Sequence, residues 1–193
     1  ITFPMKLEDL VPEFHALRAD QRVIDIAGGY VHTILLLQNG DVLTMGVHDQ
    51  GQRGLNPDLP EKEVPIINKV EGLPGKVDAI AAGNHHVLLL IGGQVYAFGS
   101  DEFGQVSGNG AASDQNAEND EDYLISTPTL VANLPDDEDD GFVHVSAGMY
   151  HSAAQTRLKK CFTNIMPRTS KSHQKFVFNV KIAYFFSESQ NFA

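Results

Sequence analysis

Ile26-Ala27-Gly28-Gly29-Tyr30-Val31-His32 is answered by Ile80-Ala81-Ala82-Gly83-Asn84-His85-His86 and again by Val145-Ser146-Ala147-Gly148-Met149-Tyr150-His151. The first two copies run on in parallel through an apolar stretch (Ile34 to Leu37; Val87 to Ile91) and a turn glycine (Gly40; Gly93). Val42-Leu43-Thr44-Met45-Gly46 then matches Val95-Tyr96-Ala97-Phe98-Gly99, and each copy closes on Gly-Gln, at Gly51-Gln52 and Gly104-Gln105. Self-similarity at a fixed period marks an array of small supersecondary units. The spacing is 54 positions from Gly29 to Gly83 and 65 from Gly83 to Gly148.

Each unit reads as a small antiparallel sheet. Leu35-Leu36-Leu37 and Leu88-Leu89-Leu90 are too short for a globular helix and are fenced by glycines, which favours buried strands. Asn39-Gly40 and Gly92-Gly93 lie between two apolar runs, a strong hairpin signal. Four strands repeated at this period make a propeller blade, so the expected class is mainly β, a partial β-propeller of two four-stranded repeats and the start of a third.

Gly29, Gly83 and Gly148 stand where a strand begins, and are expected to mark a close backbone approach or a positive φ. His32, His86 and His151 follow three residues later. Histidine titrates near neutrality, which would suit a ligand or an acid–base group. A residue that recurs once per blade more often ties blades together by hydrogen bonds, and that is the role expected here.

The pattern Ala-Gly-x-x-His, apolar run, Gly-x-Val-Tyr-x-Phe-Gly and then Gly-Gln resembles the repeat of the regulator of chromosome condensation family. The likeness covers residues 4 to 156, with Pro4, Pro65 and Pro128 ahead of the three Gly-x-x-His units. The resemblance implies a propeller of about seven blades, for which 193 residues are too few, so a piece of a propeller is expected. The initial Ile1 agrees with that expectation. Repeats are placed at about 23–76, 77–142 and 143–156, the last partial, within a unit spanning 1–156.

After Ala154 the repeat pattern stops, and Gln155-Thr156-Arg157-Leu158-Lys159-Lys160-Cys161 opens a basic and aromatic tail, 157–193. That tail holds seven Lys/Arg and only Glu188 as an acid; the formal charge of −11 therefore divides into about +6 for the tail and −17 for residues 1–156. It reads either as a basic arm for nucleic acid or nuclear import around Lys159-Lys160, or as a segment foreign to the fold. Phe176-Val177-Phe178 and Ala183-Tyr184-Phe185-Phe186 favour the second. The acidic blocks Asp114 to Asp122 and Asp136 to Asp140 read as solvated loops between blades. Alternatively they are a negative rim that steers basic partners and repels DNA phosphates.

Other chemistry finds no support. The glycine-rich stretch Gly99 to Gly110 lacks the Gly-Lys-Ser/Thr of a phosphate loop, and no Gly-x-Ser-x-Gly elbow or EF-hand spacing occurs. Cys161 is the single cysteine, so neither a zinc cluster nor an internal disulfide is expected. No cofactor, metal or catalytic residue is assigned, and no long apolar span suggests a membrane.

The resemblance implies a guanine-nucleotide exchange factor for the small GTPase Ran, associated with chromatin through histones. It would be nuclear, with the cytoplasm as a second compartment, and would perform no covalent chemistry. In the family, acidic side chains on one face serve the GTPase contact. Here the loops ahead of Gly-Gln offer Asp49 in the first repeat and Asp101 with Glu102 in the second as partner-binding residues, each of which could instead be an acid that caps its own loop. The alternative is an interaction propeller within a larger protein such as a ubiquitin ligase, or an inactive truncated product.

Overall fold

A computed structural model describes residues 21–55, 59, 66–107, 123–131, 140–163 and 176–179. The acidic stretch 114–122, residues 136–139, Pro4, Pro65 and the aromatic run 183–186 lie outside the described residues.

Twelve strands form three antiparallel four-stranded sheets, with no α-helix among the described residues. The first sheet holds β1 (Val23–Gly28), β2 (His32–Leu37), β3 (Val42–Gly46) and β4 (Ile67–Lys69). The second holds β5 (Ala79–Ala82), β6 (His86–Ile91), β7 (Gln94–Ser100) and β8 (Leu124–Leu130). The third holds β9 (Phe142–Ala147), β10 (Ser152–Thr156), β11 (Lys160–Thr163) and β12 (Phe176–Asn179). Each sheet is a meander in sequence order, which is blade topology. The opening strands β1, β5 and β9 are neighbours, and the second strand of each of the first two sheets packs against the opening strand of the next.

Register explains why the Leu-Leu-Leu runs are unbroken by polar residues. Side chains alternate between the two faces of a strand, and β6 is buried on both. Val87, Leu89 and Ile91 join Ile34, Leu36, Val42, Ile80 and Phe98 between the first and second sheets. Leu88 and Leu90 join Val95, Ala97, Val106, Phe142 and Val145 between the second and third. A strand covered on two sides carries a continuous apolar run, as in parallel sheets.

Turn geometry repeats with the sequence. Gly40 (φ 89°) and the pair Gly92 and Gly93 (φ 56° and 83°) supply the left-handed residues of the β2–β3 and β6–β7 hairpins. The carbonyl of each turn glycine then accepts an amide of the next sheet, Val77 N–H to Gly40 O at 3.1 Å and Phe142 N–H to Gly93 O at 2.8 Å. The same backbone stitch thus closes both junctions.

Strand pairing continues across Thr156, where the sequence reading ended the repeat. Ala153, Ala154 and Gln155 of β10 pair with Thr163, Phe162 and Cys161 of β11, and β12 pairs with β11 in turn. The β10–β11 turn is closed by Lys159 N–H to Thr156 O at 2.9 Å, as Gly40 N–H to Leu37 O at 2.9 Å closes the β2–β3 turn. Lys159 occupies the turn-glycine position at φ 63°, the one non-glycine residue with positive φ among the described residues. Asp140, almost fully buried, braces this turn: Oδ1 accepts the Leu158 amide at 2.7 Å and Oδ2 pairs with Lys160 Nζ at 2.8 Å. Burial alone would raise the Asp140 carboxyl, but its bonds from Lys160, Leu158 and Thr156 outweigh that and hold it below the ordinary range. Phe162 adds an edge contact to Phe142, ring centroids 5.5 Å apart.

An L-residue pays roughly 1 kcal/mol for the left-handed conformation that glycine adopts freely. Lys159→Gly is therefore expected to raise unfolding stability by about that amount, read as a rise in the thermal midpoint. An unchanged or lower midpoint would show that the turn is not strained.

Candidate partner-binding site

The recurrent glycine is placed by contact, and positive φ plays no part in it, since Gly29, Gly83 and Gly148 are absent from the left-handed residues. A Cβ on Gly29 would run into the imidazole of His32 and would also sit 2.6 Å from the carbonyl oxygen of Gly83. Gly83 repeats this with His86 and with the carbonyl of Gly148, again 2.6 Å. One step further along each loop the backbone links the sheets directly, Tyr30 N–H to Asn84 O at 3.1 Å and Asn84 N–H to Met149 O at 3.2 Å. These Gly-x-x-His loops form one course across three blades.

His32 and His86 occupy equivalent buried positions, at 3% and 0% exposure, whereas His151 of the third blade is exposed. His86 Nε2 meets Ser152 Oγ of the next blade at 3.0 Å, and that hydroxyl donates to Gln105 O at 2.6 Å. The expected blade-tying hydrogen bond therefore exists at the second junction. It is missing at the first, where neither ring nitrogen of His32 has a partner among the described residues. The residue after His86 is Val87 where Ser152 follows His151, so the hydroxyl is absent from that position. Burial, with His85 nearby, pushes His32 down to about 4. Burial, then His32 and His151, pushes His86 down to about 4 despite a bond to the His151 backbone that acts the other way.

The Gly-Gln loops are built alike. Gly51 and Gly104 turn the chain at φ 69° and 73°. The buried side chains of Gln52 and Gln105 then reach back, each Oε1 accepting the amide two residues earlier, Gln50 and Phe103, at 2.7 Å. This clamp fixes what precedes it. Asp49 and Glu102 occupy matching, exposed places, and Asp49 Oδ1 also accepts Gln52 Nε2 at 3.0 Å. Asp101 is buried, at 4% exposure, and its Oδ1 accepts the amides of Val106 and Ser107 at 2.8 and 2.9 Å. It braces the loop, as an acid that caps its own turn does.

Asp49 and Glu102 come together on one cleft of about 220 Å³, whose walls are Asp49, Gln50, His85, Ser100, Glu102, Gln105 and Tyr150. Asp101 is not part of that wall. Three blades contribute. His85 stands edge-on to Tyr30 at 5.8 Å, and Tyr150 leans on Phe103 at 4.8 Å. Sequence reasoning passed over His85 and Tyr150 because it weighed the fixed positions of Gly-x-x-His. The variable position before each histidine was the available signal.

Two consequences can be measured. Gly83→Ala places a methyl against a carbonyl and a ring, and should cost about 1–3 kcal/mol, whereas Gly28→Ala, with nothing within 4 Å of the new Cβ, should stay within about 0.5 kcal/mol. Equal denaturation midpoints for the two would contradict the contact. Because the buried histidines stay neutral when folded but take up protons near 6.5 when unfolded, their contribution is complete above about pH 6.5 and is lost as pH falls toward 4. The loss approaches about 3 kcal/mol per histidine. Thermal unfolding from pH 7 to 4.5 should show a steep decline that flattens in a His32→Gln, His86→Gln variant; an equally steep decline there would assign it to other groups.

The model for the Regulator of chromosome condensation (RCC1) repeat matches residues 39–90 and 92–155. The E3 ubiquitin-protein ligase MYCBP2 of Danio rerio is 38% identical over 86 residues, 44% of this chain and 2% of that protein. The Regulator of chromosome condensation of Drosophila melanogaster is 36% identical over 80 residues, 40% of this chain and 14% of that protein. The chain thus spans a small part of the length of these relatives. Among solved structures, Prp20p of Saccharomyces cerevisiae superposes with a TM-score of 0.60 at 22% identity, over 77% of this chain and 32% of that one, a likeness of fold. With the repeat matched over most of the described blades and the propeller topology shared, the chain belongs to the regulator of chromosome condensation repeat family.

Proposed function

We propose that this chain is part of a propeller that binds a small GTPase of the Ran type on its Gly-x-x-His and Gly-Gln loop face and promotes nucleotide exchange, in the nucleus and with histones as further basic partners. The observation that carries the reading is the convergence of Asp49 and Glu102, from matching positions of consecutive repeats, on one cleft. Prp20p, which shares the fold, binds Gsp1p and histones, which supports a GTPase and a basic chromatin protein as partners. The net charge of −11 suits basic partners and opposes direct contact with DNA phosphates.

Such a function needs no bond to be made or broken. A surface that holds the nucleotide-free GTPase more tightly than the loaded form loosens the nucleotide by the same factor, because the two affinities are linked. Asp49 and Glu102 would make the contact, while Asp101 keeps the second loop in shape through Val106 and Ser107. The second reading, a recruiting module within a ubiquitin ligase, is favoured by the similarity to MYCBP2. In that case the same face takes a substrate protein.

Titration of the chain with Ran, nucleotide-free and GDP-loaded, separates the two. Exchange function predicts tighter binding of the nucleotide-free form, weakened about tenfold by Asp49→Asn with Glu102→Gln, the size of one charge-assisted contact. Equal affinity for both forms, or no binding, would overturn the exchange reading in favour of the recruiting one.

A further inference from the structure

The cleft that joins three blades has a composition that selects one kind of occupant. Its rim carries two exposed carboxylates, Asp49 from the first blade and Glu102 from the second. Its buried wall is polar and uncharged, formed by Ser100 and Gln105. Tyr150, 42% exposed and in tilted ring contact with Phe103, supplies an aromatic surface from the third blade. No lysine or arginine is among its walls.

An anion would meet two carboxylates there, and an apolar group would strip water from a polar wall without replacing its bonds. A bare metal ion is disfavoured as well, since no group of three or more His, Cys, Asp or Glu side chains among the described residues is arranged to hold one. A planar cation suits the two carboxylates and Tyr150: guanidinium offers paired donors to carboxylates and stacks on an aromatic face, whereas ammonium is a compact, strongly hydrated charge. We propose that this cleft is a subsite for an arginine side chain of the bound protein, with Glu102 and Asp49 taking the guanidinium and Tyr150 lying against its plane. The proposal rests on the loop face being the partner-binding face, and it names the chemistry that face reads.

The test uses the whole chain and three capped peptides, acetyl-Gly-Arg-Gly-amide and its lysine and citrulline counterparts, followed by chemical-shift changes of the His85 and Tyr150 ring signals at low salt. The arginine peptide should produce saturable shifts at both rings. The citrulline peptide, which keeps the shape and loses the charge, should produce none at equal concentration, and lysine should bind at least severalfold more weakly. Glu102→Gln should weaken the arginine peptide about tenfold, and Tyr150→Leu should weaken it while leaving the amide spectrum of the blades unchanged. Absence of shifts with the arginine peptide, equal response to citrulline or to lysine, or indifference to Glu102→Gln would overturn the proposal. No GTPase enters the assay, so its outcome is separate from that of the Ran titration: arginine binding without Ran preference retains the subsite and removes the exchange reading, and the reverse result removes the subsite alone.

Discussion

Everything on the loop face depends on how closely one backbone approaches the next at the recurrent glycine. At Gly29 and Gly83 a histidine ring of the same blade and the carbonyl of the following blade's glycine together fill the space a side chain would take. No side chain fits between them. That approach lets Tyr30, Asn84 and Met149 join through their backbones, and so sets the distance at which loops of three blades can share a cleft. Dispersion and apolar burial hold the blades together lower down, but they are non-directional. The glycine contact and the backbone stitches at Gly40 and Gly93 determine the alignment.

The histidines show how a repeated motif can be built once and satisfied unevenly. His86 finds a hydroxyl in Ser152, while His32 finds none among the described residues. An unpartnered polar group in a protein interior costs about 1–3 kcal/mol, so the first junction is secured more by packing and less by polar bonds than the second. Burial, reinforced by the neighbouring histidines, keeps both rings neutral. They act as structural wedges, and the cleft-lining side chains are the residues beside them.

Much of the architecture was legible because each signal had a local cause. Apolar triplets with glycine fences gave strands, Asn39-Gly40 and Gly92-Gly93 gave hairpins, and the equivalence of His32 with His86 followed from period alone. Two things were hidden. Lys159 stands at a turn where the other repeats have glycine, so a search for the repeat's punctuation stops before β11; the pairing of β10 with β11 shows that the hairpin is made, and the buried Asp140, tied to Leu158 and Lys160, braces it. At the candidate site, Asp101 and Glu102 are neighbours with the same chemistry in sequence, yet one faces its own loop amides and the other the cleft. Alternation cannot separate them in an irregular loop, and the glutamine clamp that does so depends on a side chain folding back.

The two-sided burial of β6 has a consequence for how sequence neighbours behave. Leu88 and Leu89 are covalently adjacent, yet one belongs to the core shared with Val145 and the other to the core shared with Ile34. Energetic coupling follows shared partners more than chain proximity. Leu88 and Leu89 therefore report on different cores, while Leu89 and Ile34, more than fifty residues apart, report on the same one. The strand works as a party wall: each room can be refurnished separately, and a change in thickness is felt in both.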